Sequence, residues 1–241
     1  MSAIPPTSDS SRLARRLLRS LDRASLATTL GGAPYVSLVL VATAADGQPL
    51  LLISQLAQHA ANIAGDPRVA LLFDGTVGLE EPLAGPRATV LGRAERSADE
   101  GLRARFLARH PSARLYADFA DFHLYRIAVE RAHLVGGFGR IEWIDATALL
   151  PAGLAALAVA EPELVRAANA RYGAALTLCA RILLGRDGDG WQLTGLDTEG
   201  ADLRCAGAVA RLDFAQPAED ADAAMRELGR FAQEARDRTA P

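Results

Sequence analysis

Cysteine, histidine and aromatic residues are scarce in this chain, whose 241 residues include two cysteines, four histidines and 5% aromatic residues. Cys179 and Cys205 form no CxxC pair, so there is no thiol redox motif, and the chain fits a reducing compartment, by default the cytoplasm. No run of about 18 apolar residues is present to span a bilayer, so we expect no membrane association. The basic stretch 12–19 is compatible with a mitochondrial presequence, but its leucines also have the spacing of an ordinary docking helix.

An excess of charge of either sign is missing as well. Lys and Arg number 26 against 29 Asp and Glu, with a net charge of -3 and a pI near 5.8, which argues against both a disordered polyanion and a nucleic-acid binder. The sequence also lacks zinc-site spacing, a dinucleotide-binding glycine motif and a serine–histidine–carboxylate triad. It is 50% hydrophobic and long enough to bury a sizeable core.

Short β-prone runs separated by turns dominate the first part of the chain. Asp46-Gly47 lies between two apolar runs, which is a strong hairpin signal. Ser97 followed by Glu100 has the spacing of a helix capping box. The patterns predict strands at 25–30, 35–43, 49–54, 69–73, 87–94, 122–131 and 134–144, and helices at 11–24, 55–64, 97–109 and 112–118. Residues 1–10 are predicted to be flexible, and residues 11–147 to form a small antiparallel barrel.

A second unit is predicted over residues 155–241, after a shift in composition around 145–160. Its expected helices span 161–181 and 218–237, and its expected strands span 180–184, 191–197 and 208–214. The whole chain is therefore expected to be an α+β protein, with a split antiparallel β-barrel followed by a small α+β domain.

Several separated segments resemble the pyridoxamine 5′-phosphate oxidase-like split-barrel superfamily, whose members bind flavin mononucleotide (FMN). The segments are GGAPYVSLVLVATAADGQPLLLISQLAQHAANIAGDPRVALLF, RATVLGRA, RHPSARLYADFADFHLYRI and LVGGFGRIEWI. The C-terminal GLDTEGADLR and RLDFAQPAEDADAAMRELGRFAQEAR are similar to the accessory domain of the branch that includes haem-utilisation proteins. The resemblance covers nearly the whole chain from about residue 12.

This resemblance implies a homodimer with FMN held in grooves between two barrels, and a flavin-dependent, oxidoreductase-like activity whose enzymatic nature stays open. In flavin-binding members, basic residues on the second strand and on the helix after the third strand clamp the phosphate, because a dianion needs paired cations or N–H donors. The matching positions here are Ser37, Ala42, Gln58 and His59. Three of the four cations are thus replaced by neutral groups and the fourth by a histidine.

Other groups near these positions are still able to bind an anion. Ser54 ends the third strand, and the next helix offers backbone N–H groups together with Gln58, His59 and Asn62. Arg87 begins the strand that would face the flavin ring in such a dimer. Arg87 is equally suited to an ion pair with the acidic pair Glu80-Glu81.

The branch resemblance also implies an alternative, haem binding or oxidative haem degradation, with His59, His123 or His133 as candidate axial ligands. Each histidine also has an ordinary interpretation, as an exposed helix residue, a barrel strand residue and the neighbour of a glycine-rich turn, respectively. Tyr172 occupies the position of an accessory-domain histidine in relatives, and would be either a haem ligand or a core aromatic residue. A third hypothesis is a cofactor-free module that binds a partner.

Overall fold

A computed structural model describes residues 8–137, 139–150 and 152–239 of the chain. The chain divides into two compact units, Met1–Pro151 and Ala152–Pro241. Seven of the ten residues predicted to be flexible, 1–7, lie outside the described residues, as does Phe138 of the glycine-rich segment.

The first unit contains four α-helices and eight strands within the described residues. Its helices are α1 (Ser8–Ser20), α2 (Gln58–Gly65), α3 (Glu100–Arg109) and α4 (Ala146–Leu149). Its strands are β1 (Arg23–Leu30), β2 (Ala33–Leu40), β3 (Ala42–Thr43), β4 (Pro49–Ser54), β5 (Arg68–Asp74), β6 (Arg87–Ser97), β7 (Phe122–Val135) and β8 (Ile141–Asp145).

The strands of the first unit form one antiparallel sheet with the order β2-β1-β5-β6-β7-β4-β3, and β8 pairs with β7. Alternate side chains of β1, β5, β6 and β7 are buried, as period-two patterning requires. The buried side chains of these strands form one core together with apolar residues of β4 and of helices α1, α2 and α4. Leu26, Leu71, Val90 and Ile127 are fully buried in it. The sheet therefore curls around one hydrophobic core, and the predicted α+β split barrel is confirmed.

The opposite side of this sheet carries exposed apolar side chains, and we call it the outer face. One register row crosses six strands through Leu38, Ser25, Leu72, Thr89, His133 and Trp143. Leu38 is 70% exposed and Trp143 is 47% exposed. Val36 on β2 and Ile141 on β8 add further exposed apolar surface to the same face.

Among the sequence predictions for this unit, two are wrong for an identifiable physical reason. Helix α3 is capped by Asp99, whose carboxylate accepts hydrogen bonds from the N–H groups of Gly101 and Leu102, and not by a Ser97–Glu100 capping box. A carboxylate directly before the first turn reaches two free N–H groups, so it displaces the more distant serine. The segment 122–135 is one long strand and not two, because a register shift opposite Leu91 and Gly92 accommodates Glu130 as an extra residue in β7.

The second unit is a three-stranded antiparallel sheet covered by two helices. It contains α5 (Glu161–Leu184), β9 (Gln192–Asp197), β10 (Gly200–Cys205), β11 (Ala208–Asp213) and α6 (Ala221–Asp237). The strand predicted at 180–184 is instead the last turn of α5, since apolar residues of that turn continue its buried face. Tyr172 packs against the core of this unit as a half-buried side chain. Over the described residues, no helix is long and apolar enough to cross a membrane.

Candidate functional site

Two of the predicted site residues meet where α2 covers one end of the barrel core. Ser37 lies on the core-facing side of β2, and its hydroxyl oxygen is 3.1 Å from Nδ1 of His59 in the first turn of α2. The contact joins residues 22 positions apart, so the fold and not local sequence brings them together. If Nδ1 carries the proton and donates to Ser37, Nε2 retains a lone pair.

His59 is held in its neutral form. Burial lowers the pKa of His59 below its ordinary value of 6.5, because the charged imidazolium loses part of its hydration there. The imidazole is therefore mostly uncharged at pH 7. A neutral imidazole is a good metal ligand and a poor partner for a phosphate dianion.

A polar chain continues from His59 along α2. Gln58 Nε2 donates to Asn62 Oδ1 at 2.9 Å, and Asn62 Nδ2 donates to the hydroxyl of Thr28 on β1 at 2.9 Å. Asn62 and Thr28 are both buried, so this bond pins α2 to the barrel wall. Beside it, a recess of 450 Å³ lies between α2 and the β1–β2 turn, lined by Thr29, Leu30, Gly31, Gly32, Gln58, Ala61, Asn62, Gly65 and Asp66.

Ser54 is directed to a different partner. Its hydroxyl donates to a carboxylate oxygen of Asp121 and accepts a hydrogen bond from the N–H of Leu56 at 3.1 Å. Ala57 caps α2 without any side-chain hydrogen bond, and no acidic residue lies in the first turn. The start of α2 therefore presents backbone N–H groups and the positive end of a short helix dipole.

Arg87 lies away from the other five predicted cofactor-binding residues. Its neighbours Ala88 and Val90 face the core, so Arg87 belongs to the outer face of β6. Its guanidinium donates to the carbonyl oxygens of Leu83 at 3.0 Å and Gly85 at 3.3 Å, and not to a glutamate of the Glu80-Glu81 pair. Arg87 and the Ser37–His59 pair therefore lie on opposite sides of the sheet.

The other two candidate haem ligands have separate surroundings. His123 lies at the start of β7 with its Nε2 in contact with Nε2 of Gln55. The ring of His133 is 4.6 Å from that of Trp143 on the outer face, and Arg131 covers the same indole at 4.4 Å. Among the described residues, no group of three or more His, Cys, Asp or Glu side chains is arranged to hold a metal ion.

Sequence reasoning missed three residues of these surroundings, Thr28, Asp121 and Trp143. Thr28 and Asp121 each contact a predicted residue that is 34 or more positions away in sequence. No local pattern signals such a partner. Trp143 could have been found from its place in a predicted strand that contains a second exposed apolar residue, Ile141.

Residues 5–149 match the family model described as "CREG, beta-barrel". The chain belongs to the CREG β-barrel family. The match covers the first compact unit almost completely, and it confirms the split-barrel resemblance inferred from the separated segments of the sequence.

Individual relatives extend the comparison beyond the barrel. A protein of unknown function from Agrobacterium tumefaciens is 29% identical, with a TM-score of 0.75 over 96% of this chain and 98% of that one. A heme binding protein from Mycobacterium smegmatis is 29% identical, with a TM-score of 0.57 over 98% of this chain and 100% of the other. The chloroplastic heme oxygenase HOZ of Arabidopsis thaliana is 34% identical over 110 residues. This last match spans 44% of this chain and 33% of the plant protein.

Proposed function

We propose that this CREG-family protein binds haem at the α2 end of its barrel, where Nε2 of His59 would bind the iron. One observation carries the proposal: the imidazole of His59 is half-buried and kept neutral, and its Nδ1 contacts the hydroxyl of Ser37. Histidine ligands are usually oriented by such a bond at their second nitrogen, which fixes the tautomer that leaves the other nitrogen free.

The surroundings of His59 suit haem better than a phosphate dianion. The phosphate-clamp positions hold Ser37, Ala42, Gln58 and His59, none of which carries a fixed positive charge. A haem site needs an iron ligand and an apolar surface more than paired cations. Leu30, which borders the recess beside α2, is 44% exposed, and Leu56 just before the helix is 88% exposed. Packing of both side chains against an apolar ring would remove their apolar surface from water, which favours binding.

The names of two relatives point in the same direction. The Mycobacterium smegmatis protein, described as heme binding, aligns with nearly the full length of this chain, and the Arabidopsis thaliana protein is described as a heme oxygenase. Haem would supply the iron redox chemistry, as cofactors generally do. The part of this chain would be to hold one imidazole neutral, direct its Nε2 and shield one side of the ligand from water.

We also infer that two copies pair through the outer face. The row from Leu38 to Trp143, together with Val36 and Ile141, would leave an unusually large apolar surface on a monomer. A twofold interface of this kind would place Arg87 of one copy against the other barrel, as the split-barrel resemblance implies. Both cysteines are free, which supports a reducing compartment such as the cytoplasm.

FMN is a second candidate, favoured by the start of α2. The N-terminal N–H groups of this helix are not capped by any side chain, and Gln58, Asn62 and Ser54 add polar atoms around them. Such a helix start is able to hold a phosphate without lysine or arginine. The missing cations would make this binding weak and strongly dependent on salt.

Separate titrations of the purified protein with haemin and with FMN distinguish the two candidates. We expect haemin to give a shifted Soret band that is weakened in His59→Ala and retained in His123→Ala and His133→Ala. Retention of the wild-type haemin spectrum in His59→Ala would refute the assignment of the ligand. Tight FMN binding, without a haemin response, would refute haem binding as a whole.

A further inference from the structure

A second recess lies on the other flank of α2, beneath the helix and against the ends of β6 and β7. It has a volume of 480 Å³, within the range of small-molecule sites. Apolar side chains provide five of its eight lining residues, and three polar side chains complete it. The lining residues are Gln55, Ala60, Ala61, Ile63, Ala64, Ala94, Arg96 and Tyr125, and we call this cavity the Arg96 recess.

Arg96 continues the series of β6 residues that face the barrel core. The earlier members, Ala88, Val90, Gly92 and Ala94, are all buried. Arg96 itself is exposed, so its guanidinium keeps its hydration at the edge of the core. The side chain of Arg96 makes no hydrogen bond or ion pair with any residue in the ranges that the structure describes. Its five N–H donors are thus available at the mouth of the recess.

Tyr125 lies directly opposite Arg96 in the β6–β7 register. It is 7% exposed, so its ring belongs to the barrel core, and its hydroxyl also has no hydrogen-bond partner among the described residues. The hydroxyl is accessible from the recess, unlike the ring. A guanidinium and a phenol that line one cavity and have no protein partner are suited to bind an anionic oxygen ligand.

Two acidic residues that share a pocket with Arg96 have other partners. Asp99 and Glu100 line an adjoining pocket together with Arg96. The carboxylate of Asp99 accepts the two N–H groups that cap α3, and Glu100 lies 3.9 Å from the guanidinium of Arg103. Neither forms an ion pair with Arg96, so Arg96 retains its capacity for an incoming carboxylate.

We propose that the Arg96 recess binds a small monocarboxylate with an apolar body, distinct from the haem proposed at His59. The carboxylate would accept paired N–H bonds from Arg96 and one O–H bond from Tyr125, an arrangement that arginine's planar fork favours. The apolar body would lie on the floor formed by Ala60, Ile63 and Ala94. Ala61 borders both this recess and the one facing the β1–β2 turn, so α2 separates the two sites.

Calorimetric titration of the full chain with octanoate tests this proposal without haem. The uncharged 1-octanol and the cationic octylamine serve as ligands with the same chain and no carboxylate. We expect octanoate to bind and both analogues to bind at least about tenfold more weakly, because they cannot accept the charge-assisted bonds. Arg96→Gln should weaken octanoate binding by about tenfold or more, and Arg96→Lys should restore part of the loss.

Matched variants separate a binding role from a structural one. Arg93→Gln removes the same charge from the same strand on the opposite face, and we expect unchanged affinity. Tyr125→Phe removes an unpartnered hydroxyl, and should weaken octanoate binding severalfold without lowering the melting temperature. Equal affinity of wild-type protein and Arg96→Gln would overturn the proposal. So would absence of octanoate binding, or equally tight binding of 1-octanol.

Discussion

Replacing Arg211 by Met should destabilise the second unit selectively. Arg211 is 3% exposed, and its guanidinium contacts Asp202 at 2.8 Å, Asp197 at 3.0 Å and Asp213 at 3.3 Å. Asp197 is completely buried. The carboxylates raise the pKa of Arg211, although its burial alone would lower it. Methionine fills a similar volume but leaves these carboxylates without their shared cation.

The expected destabilisation follows from this burial. Removing one partner of a buried ion pair costs about 3–5 kcal/mol, since the remaining charge loses both its water and its counter-ion. For a unit of this size, each kcal/mol lowers the melting temperature by about 4–8 °C, so the fall should be roughly 12 °C or more. Emission of Trp191, which is 1% exposed in this unit, would report the transition in a Trp143→Phe background.

Arg166→Met is the matched control in the same unit. It removes the same charge from an arginine that is 72% exposed and pairs with Glu163. Exposed pairs contribute about 0–1 kcal/mol, so its melting temperature should change by only a few degrees. If Arg211→Met melted like Arg166→Met, the buried ion cluster would not contribute to the stability of this unit.

Three further outcomes test the barrel unit. Gly92→Ala should destabilise the barrel by about 1–3 kcal/mol in denaturant unfolding, because an added Cβ would collide with the carbonyl oxygen of Ala128. An unchanged free energy of unfolding would contradict the close approach of β6 and β7. Leu38→Glu combined with Trp143→Glu should convert a dimer into a monomer in analytical ultracentrifugation, because the interface would bury unpaired charges. An unchanged sedimentation coefficient would exclude the outer face as the dimer interface. Haemin affinity should stay constant above pH 6.5 and decrease below the lowered pKa of His59, since a proton and iron compete for the same imidazole. An affinity that rises on acidification would contradict His59 as the iron ligand.

The fold was predictable because its local signals agree with one another. Turns at Gly31-Gly32 and Asp46-Gly47 separate the apolar runs. Alternate residues of β1 are buried, and the continuous apolar run of β4 is mostly buried. The errors arose where a local pattern had a stronger competitor. Asp99 capped α3 in place of Ser97, and Glu130 was accommodated as an extra residue within one continuous strand.

The site was less predictable, because its contacts are non-local. Ser37 and His59 were singled out by the family resemblance, whereas their mutual contact required the barrel to place β2 beside α2. The ion cluster around Arg211 and the unpartnered pair Arg96 and Tyr125 carry no motif in the sequence. Each depends on strand register, which a single sequence specifies poorly.

Replacing His59 with Gly and adding imidazole back to the haemin complex tests whether His59 is the iron ligand. We expect His59→Gly to lose the wild-type Soret and visible bands, and free imidazole to restore them by occupying the space of the missing ring next to Ser37. A wild-type spectrum in His59→Gly without imidazole would show that another side chain is the iron ligand.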